Sequence, residues 1–255
     1  MITLNYADVV SAHGGQLLAD TPDHLVVAID GPAGAGKSTV AKHLAADLCA
    51  TYIDTGAMYR AVAWLANHRG FTAADSDRIE QMIDDTNIEL LPPYTLPNDA
   101  GDIENQVTCV RVNGNELSTE LREPAVSMLS SELSQLPGVR ARLVEMQRKM
   151  GREGSVVMEG RDIGTVVFPD AKVKVFLTAS LQHRAQRRLE ELGRRGIVVD
   201  LAELERDIAT RDRQDASRDI APMRPADDAE IVDTDLMNID DVVVHLREIC
   251  ARIIS

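Results

Sequence analysis

Residues 31–38, GPAGAGKS, hold a spacing with a definite chemical use: Gly31, Gly36, Lys37 and Ser38 stand in the register G-x4-G-K-S/T. Glycines let a turn curl until successive backbone N–H groups point inward at one anion. A helix that starts there adds its unpaired N-terminal donors and the positive end of its dipole. An apolar run, LVVAI at 25–29, precedes this segment, and the helical pattern KSTVAKHLAADLC follows it, which is the context the loop needs. Gly31, Pro32, Ala33, Gly34, Ala35, Gly36, Lys37, Ser38 and Thr39 are therefore the expected triphosphate cradle. Lys37 would bridge the outer phosphates, and the Ser38 hydroxyl could ligate Mg²⁺.

The loop does not say what is done with the triphosphate. A GTPase needs an N-K-x-D base reader, and the dipeptide Asn-Lys does not occur in the chain. An ATP-driven motor would show a four-residue apolar run ending in Asp or Asp-Glu, which SVVMEGRD at 155–162 matches only loosely. Kinases of small molecules are the favoured class.

Three further segments narrow that class: DTGAMYR at 54–60, EGRDIGTVVFPDA at 159–171 and RDRQDASR at 211–218. With the phosphate loop they resemble the bacterial-type cytidylate kinase family, whose members phosphorylate CMP and dCMP with ATP. The resemblance runs from about residue 25 to 254, and GRDIGTVVFPDA is its most specific part. It implies that Thr55 and Arg60, with Gly56 and Tyr59 in the same motif, hold the acceptor monophosphate, with Thr55 standing where serine is frequent. It assigns Ser131, Arg140 and Asp162 to the cytosine edge, Asp215 to the sugar hydroxyls, and Arg161 and Arg218 to the acceptor phosphate. Arg184 and Arg188, four apart on one helical face, match arginines of a closing lid beside the transferring phosphoryl. The Ser38 position is often glycine in that family, so direct ligation of Mg²⁺ by Ser38 goes beyond the resemblance. Other acceptors, such as AMP, UMP or shikimate, and a regulatory module without turnover remain alternatives.

The implied roles are chemically coherent. Cytosine presents an N4 amino donor beside N3 and O2 acceptors, which suits a carboxylate next to an arginine. Uracil reverses the donor and acceptor at positions 4 and 3. A phosphate monoester with a second pKa near about 6 is already a nucleophile at neutral pH. No general base is then needed, and positioned cations with Mg²⁺ can do the work while a lid excludes water.

The elements that must hold these residues alternate. LVVAID, TYID, SVVMEG, VKVFLTA and AEIVDT read as strands, several of them fully buried, and helical patterns lie between them. The expected fold is α/β: a P-loop NTPase-type parallel sheet covered by helices on both faces. Within a core spanning 25–255, residues 87–118 read as a small antiparallel insert. Its strands are NIELL and QVTCVRV, its hairpin turn is VNGN, and Pro92, Pro93 and Pro97 punctuate it. The resemblance makes this insert the monophosphate-binding domain and about 184–200 the helical lid. Helices are expected over 122–136 and 138–150, and one helical, arginine-dense stretch from Leu181 to Arg218. Residues 1–24 read as an extension of unassigned role.

Composition limits the partners. Forty-one acidic against 27 basic residues among 255 give a formal net charge of −14, and only 3% are aromatic, which argues against general nucleic-acid binding. Three scattered cysteines and the absence of Lys or Arg before Lys37 predict a reducing cytoplasm rather than a secreted or imported protein. No apolar run is long enough to span a bilayer, and a monomer is expected. Arg194, Arg195 and Arg206 read as a solvated face, His43, His68 and His183 as non-ligands, and Met58 and Trp64 as packing residues.

Overall fold

The computed structural model describes residues 24–95, 106–194 and 196–254. Residues 1–23 of the 1–24 extension, Pro97 and Arg195 lie outside them.

Five short strands form a parallel sheet in the order β2-β6-β1-β7-β8: β1 (Val26–Asp30), β2 (Thr51–Asp54), β6 (Val156–Gly160), β7 (Val173–Thr178) and β8 (Glu230–Asp233). Side chains alternate across a strand, and the sheet uses both faces. Val27 and Ile29 point into a core with Val40, Ala41 and Leu44 of α1 (Lys37–Asp47) and with Val242, Leu246 and Ile249 of α8 (Ile239–Ile254). Ala28, Ile53 and Met158 point the other way, onto Ile163, Val167 and Val144. Burial on both faces explains why these strands read as continuous apolar runs.

Register decides where chemistry can gather. Asp30 lies opposite Gly160, and Asp54 opposite Glu159. The carboxyl ends of β1, β2 and β6 therefore align on one edge, the edge where open α/β sheets place their ligands. Three segments singled out by their residue types, 31–38, 54–60 and 159–162, leave the sheet along this edge.

The insert is a second, antiparallel sheet of β3 (Ile88–Thr95), β4 (Gln106–Val112) and β5 (Asn115–Leu117). Asn113 and Gly114 both have positive φ, 48° and 86°, so the β4–β5 turn is the type expected of an Asn-Gly hairpin. The register of β3 against β4 shifts between Leu91 and Tyr94, at the two prolines, which cannot donate to a ladder. Val110 and Val112 share a core with Met58 and Val62 of α2 (Thr55–His68), Ile79 of α3 (Ser76–Asp84), Leu133 of α4 (Pro124–Leu133) and Leu143 of α5 (Pro137–Arg152). Met58 is fully buried, and Trp64 is partly buried against the same core.

One expectation is corrected. The stretch from Leu181 to Arg218 is two helices, α6 (Leu181–Arg194) and α7 (Leu201–Ala216). Gly196 takes a left-handed φ of 73°, and Asp200 then caps α7 by accepting from the Glu203 N–H at 3.0 Å. Arg194 and Arg206 are exposed, as expected of a solvated face.

Candidate active site

The loop between β1 and α1 packs directly on the neighbouring strand. A Cβ on Gly31 would meet the Leu177 carbonyl oxygen at 2.1 Å, and its φ is 144°, so only glycine fits there. Lys37, the first residue of α1, is buried and donates from Nζ to the Pro32 carbonyl at 2.7 Å. Burial, and after it the nearby Arg161, pushes its pKa down to about 7. A lysine held this way gains most when an anion arrives. Arg184 of α6 closes the loop from the other side. It is buried, donates to the Ala33 carbonyl at 3.0 Å and pairs with Asp212 of α7 at 2.6 Å.

Beyond the loop lies a second set of cations. Asp54 caps α2 by accepting from the Ala57 N–H at 2.9 Å and pairs with Arg60 at 2.8 Å. Burial opposes its charge, but Arg60 and the cap hold it below the usual carboxylate range. Thr55 donates to the Glu159 carbonyl at 2.7 Å, which ties α2 to β6. Asp215 of α7 is buried between Arg161, at 2.8 Å, and Arg218. Burial again opposes its charge, and the two guanidiniums outweigh it. The Nε atoms of Arg60 and Arg218 are buried without a hydrogen-bond partner. Buried, unsatisfied donors are costly, and an anion would satisfy both.

Arg140 of α5 and Asp162 form a buried ion pair, with Arg140 also donating to the Ser134 carbonyl at 3.2 Å. Burial raises Asp162 despite Arg140. Tyr59 lies beside this pair, its phenol pushed up to about 12 chiefly by burial. Ser131 is half-buried on α4; its backbone carbonyl accepts from the Ser134 hydroxyl, and its own hydroxyl lies 3.4 Å from Gln214 Oε1.

The structure thus gathers the phosphate loop, Thr55, Tyr59, Arg60, Arg140, Arg161, Asp162, Arg184, Asp215 and Arg218 along one edge. Arg188 stands apart: half-buried on α6, it pairs with Glu191 at 2.6 Å. Sequence reasoning missed Arg211, which lies in the same cleft on α7, with Arg161, Arg218 and Arg60 near it. Arg211 is exposed as a residue, and partial desolvation of its guanidinium, then Arg161, lowers it to about 10, so it stays charged at neutral pH. Its spacing of four from Asp215 placed both on one face of α7 and could have revealed it. Glu159 was also missed. It accepts from the Tyr52 hydroxyl and from Ser38, and burial with nearby Asp54 raises its pKa. Among the described residues no group of three His, Cys, Asp or Glu side chains could hold a metal by itself, and Cys49, Cys109 and Cys250 are free.

A parallel sheet with a glycine-rich anion loop at its carboxyl edge defines a P-loop nucleotide-binding protein. The cytidylate kinase family model matches residues 27–252. A cytidylate kinase of Pelotomaculum thermopropionicum is 48% identical over 227 residues, covering 89% of this chain and 95% of that protein. One of Streptococcus gordonii is 44% identical over 229 residues, covering 90% and 97%. The chain belongs to the cytidylate kinase family. It also matches a bifunctional pantoate ligase/cytidylate kinase of Synechococcus sp. (strain JA-3-3Ab), at 46% identity over 231 residues, and there spans 41% of the relative's length. No described helix is long and apolar enough to cross a membrane.

Proposed function

We propose that this chain transfers the γ-phosphoryl of ATP to CMP or dCMP, giving ADP and the nucleoside diphosphate. The observation that carries this reading is the buried Arg140–Asp162 pair beside the cation cluster. Asp162 would accept from the cytosine N4 amino group while Arg140 donates to the ring acceptors. Thr55, Arg60, Arg161 and Arg218 would hold the acceptor phosphate, Arg211 and Asp215 the sugar side, and Lys37 with Arg184 the transferring phosphoryl. The insert then serves as the monophosphate-binding domain, and α6 with the link to α7 as the lid, which would bring Arg188 inward on closing. Bringing two anions together is the main barrier, and preorganised cations lower it without a general base.

ATP would arrive with Mg²⁺. Ser38, at the start of α1 and hydrogen-bonded to the Glu159 carboxylate, offers hard oxygen donors of the kind this ion takes. The fit is good, and the ion would neutralise charge on the phosphates. Three scattered cysteines, all free, support a reducing, cytoplasmic setting.

The experiment is turnover with ATP and Mg²⁺ against CMP, dCMP, UMP, AMP and shikimate. Activity confined to CMP and dCMP supports the reading, and preference for any other acceptor overturns the cytosine assignment. A companion prediction concerns Asp162→Asn. Its amide can donate where the carboxylate could only accept, so kcat/KM for CMP over UMP should fall by roughly 10- to 100-fold. KM for ATP should hardly change. An unmoved CMP/UMP ratio would take Asp162 out of base reading.

Lys37 makes a separate prediction about protons. With a pKa of about 7 it is largely neutral at about pH 8 in the free protein, and triphosphate oxygens would restore its charge. Nucleotide binding at that pH should therefore be accompanied by net proton uptake, and by less of it as the pH falls below the free-protein pKa. Calorimetry in buffers of different ionisation enthalpy reads this directly; a binding heat independent of buffer contradicts it.

A further inference from the structure

Asp30 ends β1, immediately before the phosphate loop, and is buried at 4% exposure. Its two carboxylate oxygens accept from the backbone N–H groups of Ile163 and Gly164, each at 2.8 Å. Those are the first donors of a single π-helical turn, 163–167, which begins directly after Asp162. The first donors of a helical turn have no partner within it, so this carboxylate satisfies both. The other end of the turn is held too: Arg148 of α5 donates to the Val167 and Val166 carbonyls at 3.0 and 2.8 Å.

The geometry points to Asp30 as a positioning residue for acceptor recognition. It fixes the turn that aims Asp162, and it does so from the residue adjoining Gly31. One carboxylate thereby sets the distance between the phosphoryl-donor loop and the base-reading group. Asp30 itself contacts neither substrate in this scheme. The inference rests on the base-reading role assigned to Asp162 above.

Asp30→Asn tests it. The amide keeps the shape but turns an N–H₂ group toward an N–H donor, so one of the two bonds is lost. KM for CMP should rise about tenfold and the CMP/UMP ratio of kcat/KM should fall about tenfold, as expected for one buried bond lost. KM for ATP should move clearly less than KM for CMP, since Asp30 touches the loop only by favouring the charge of Lys37 and makes no bond to the loop's own donors. The ratio does not depend on how much of the variant folds. In an Asp162→Asn background the same change should leave the ratio where it is, because the two residues act as one unit. Gly164→Ala approaches the same contact gently, since its Cβ would lie 3.4 Å from Asp30 Oδ2 and 3.3 Å from the Lys174 side chain. It should lower the ratio in the same direction by a smaller factor, and it serves if Asp30→Asn does not fold. A ratio unchanged in both single variants, or effects that add fully with Asp162→Asn, overturns the inference. If the wild type itself does not prefer CMP, the base-reading assignment fails and carries this inference with it; a selective wild type with insensitive variants sinks this inference alone.

Discussion

Lys37→Ala is expected to lower kcat by ~10²–10³-fold, about 3–4 kcal/mol of transition-state stabilisation, as for other preorganised donors in a dry site. The expectation follows from its setting. Lys37 is buried, its charge is suppressed by that burial, and its resting partner is a carbonyl rather than a carboxylate. Buried Glu159 and Asp30 favour its charge, but its hydrogen bond goes to a neutral carbonyl, so much of its interaction would remain for the phosphates. ATP affinity should fall less than kcat if the interaction strengthens as charge spreads over the transferring group. Lys37→Met, which keeps the volume, should behave like the alanine variant and separates lost charge from lost packing. Single-turnover rates checked against thermal melting decide the matter. A kcat near that of the wild type would remove Lys37 from the chemistry.

Asp215→Asn should be the most destabilising single change in the cleft. Asp215 is 2% exposed and pairs with Arg161 and Arg218, with Arg211 nearby. Removing its charge leaves three guanidiniums facing one another, and breaking a buried pair costs on the order of 3–5 kcal/mol. Melting temperature should drop accordingly. Phosphate or CMP, which would replace the missing charge, should restore the variant's melting temperature by more than it raises that of the wild type. Equal shifts in both proteins would show that the arginines do not converge on one anion. The wild type carries the matching pH signature. Because the folded-state pKa of Asp215 is depressed, its contribution is complete above the unfolded value near about 4 and is lost as pH falls through the folded one. Acid unfolding should therefore be shallower in Asp215→Asn than in the wild type.

Much of the site was readable without the fold, and the reason is locality. The loop at 31–38, the Asn-Gly turn, the strand segments and the alignment of Asp215 with Arg218 depend on residues within a turn or two of each other. Their geometry is set by backbone sterics and by side-chain period. Arg211 was equally local, since it lies one helical turn before Asp215 on α7. The break between α6 and α7 was masked by strong helical composition on both sides, and a left-handed Gly196 with an Asp200 cap outweighed it.

Other features had no local signature. Asp30 and Ile163 are 133 residues apart, and Thr55 and Glu159 are 104 apart. They meet because β1 and β2 both pair with β6 in one register, and a slip of a single residue would turn each side chain to the opposite face. Arg188 shows the reverse. Its spacing from Arg184 puts both on one helical face, yet only Arg184 reaches the phosphate loop, while Arg188 pairs with Glu191. By itself the sequence determined the glycine-rich loop, the alternation of strands and helices, and the residue types of a cleft rich in arginine. Only the tertiary structure decided which carboxylate neutralises which arginine and which turn aims Asp162, because those pairings depend on how distant strands align rather than on neighbours along the chain.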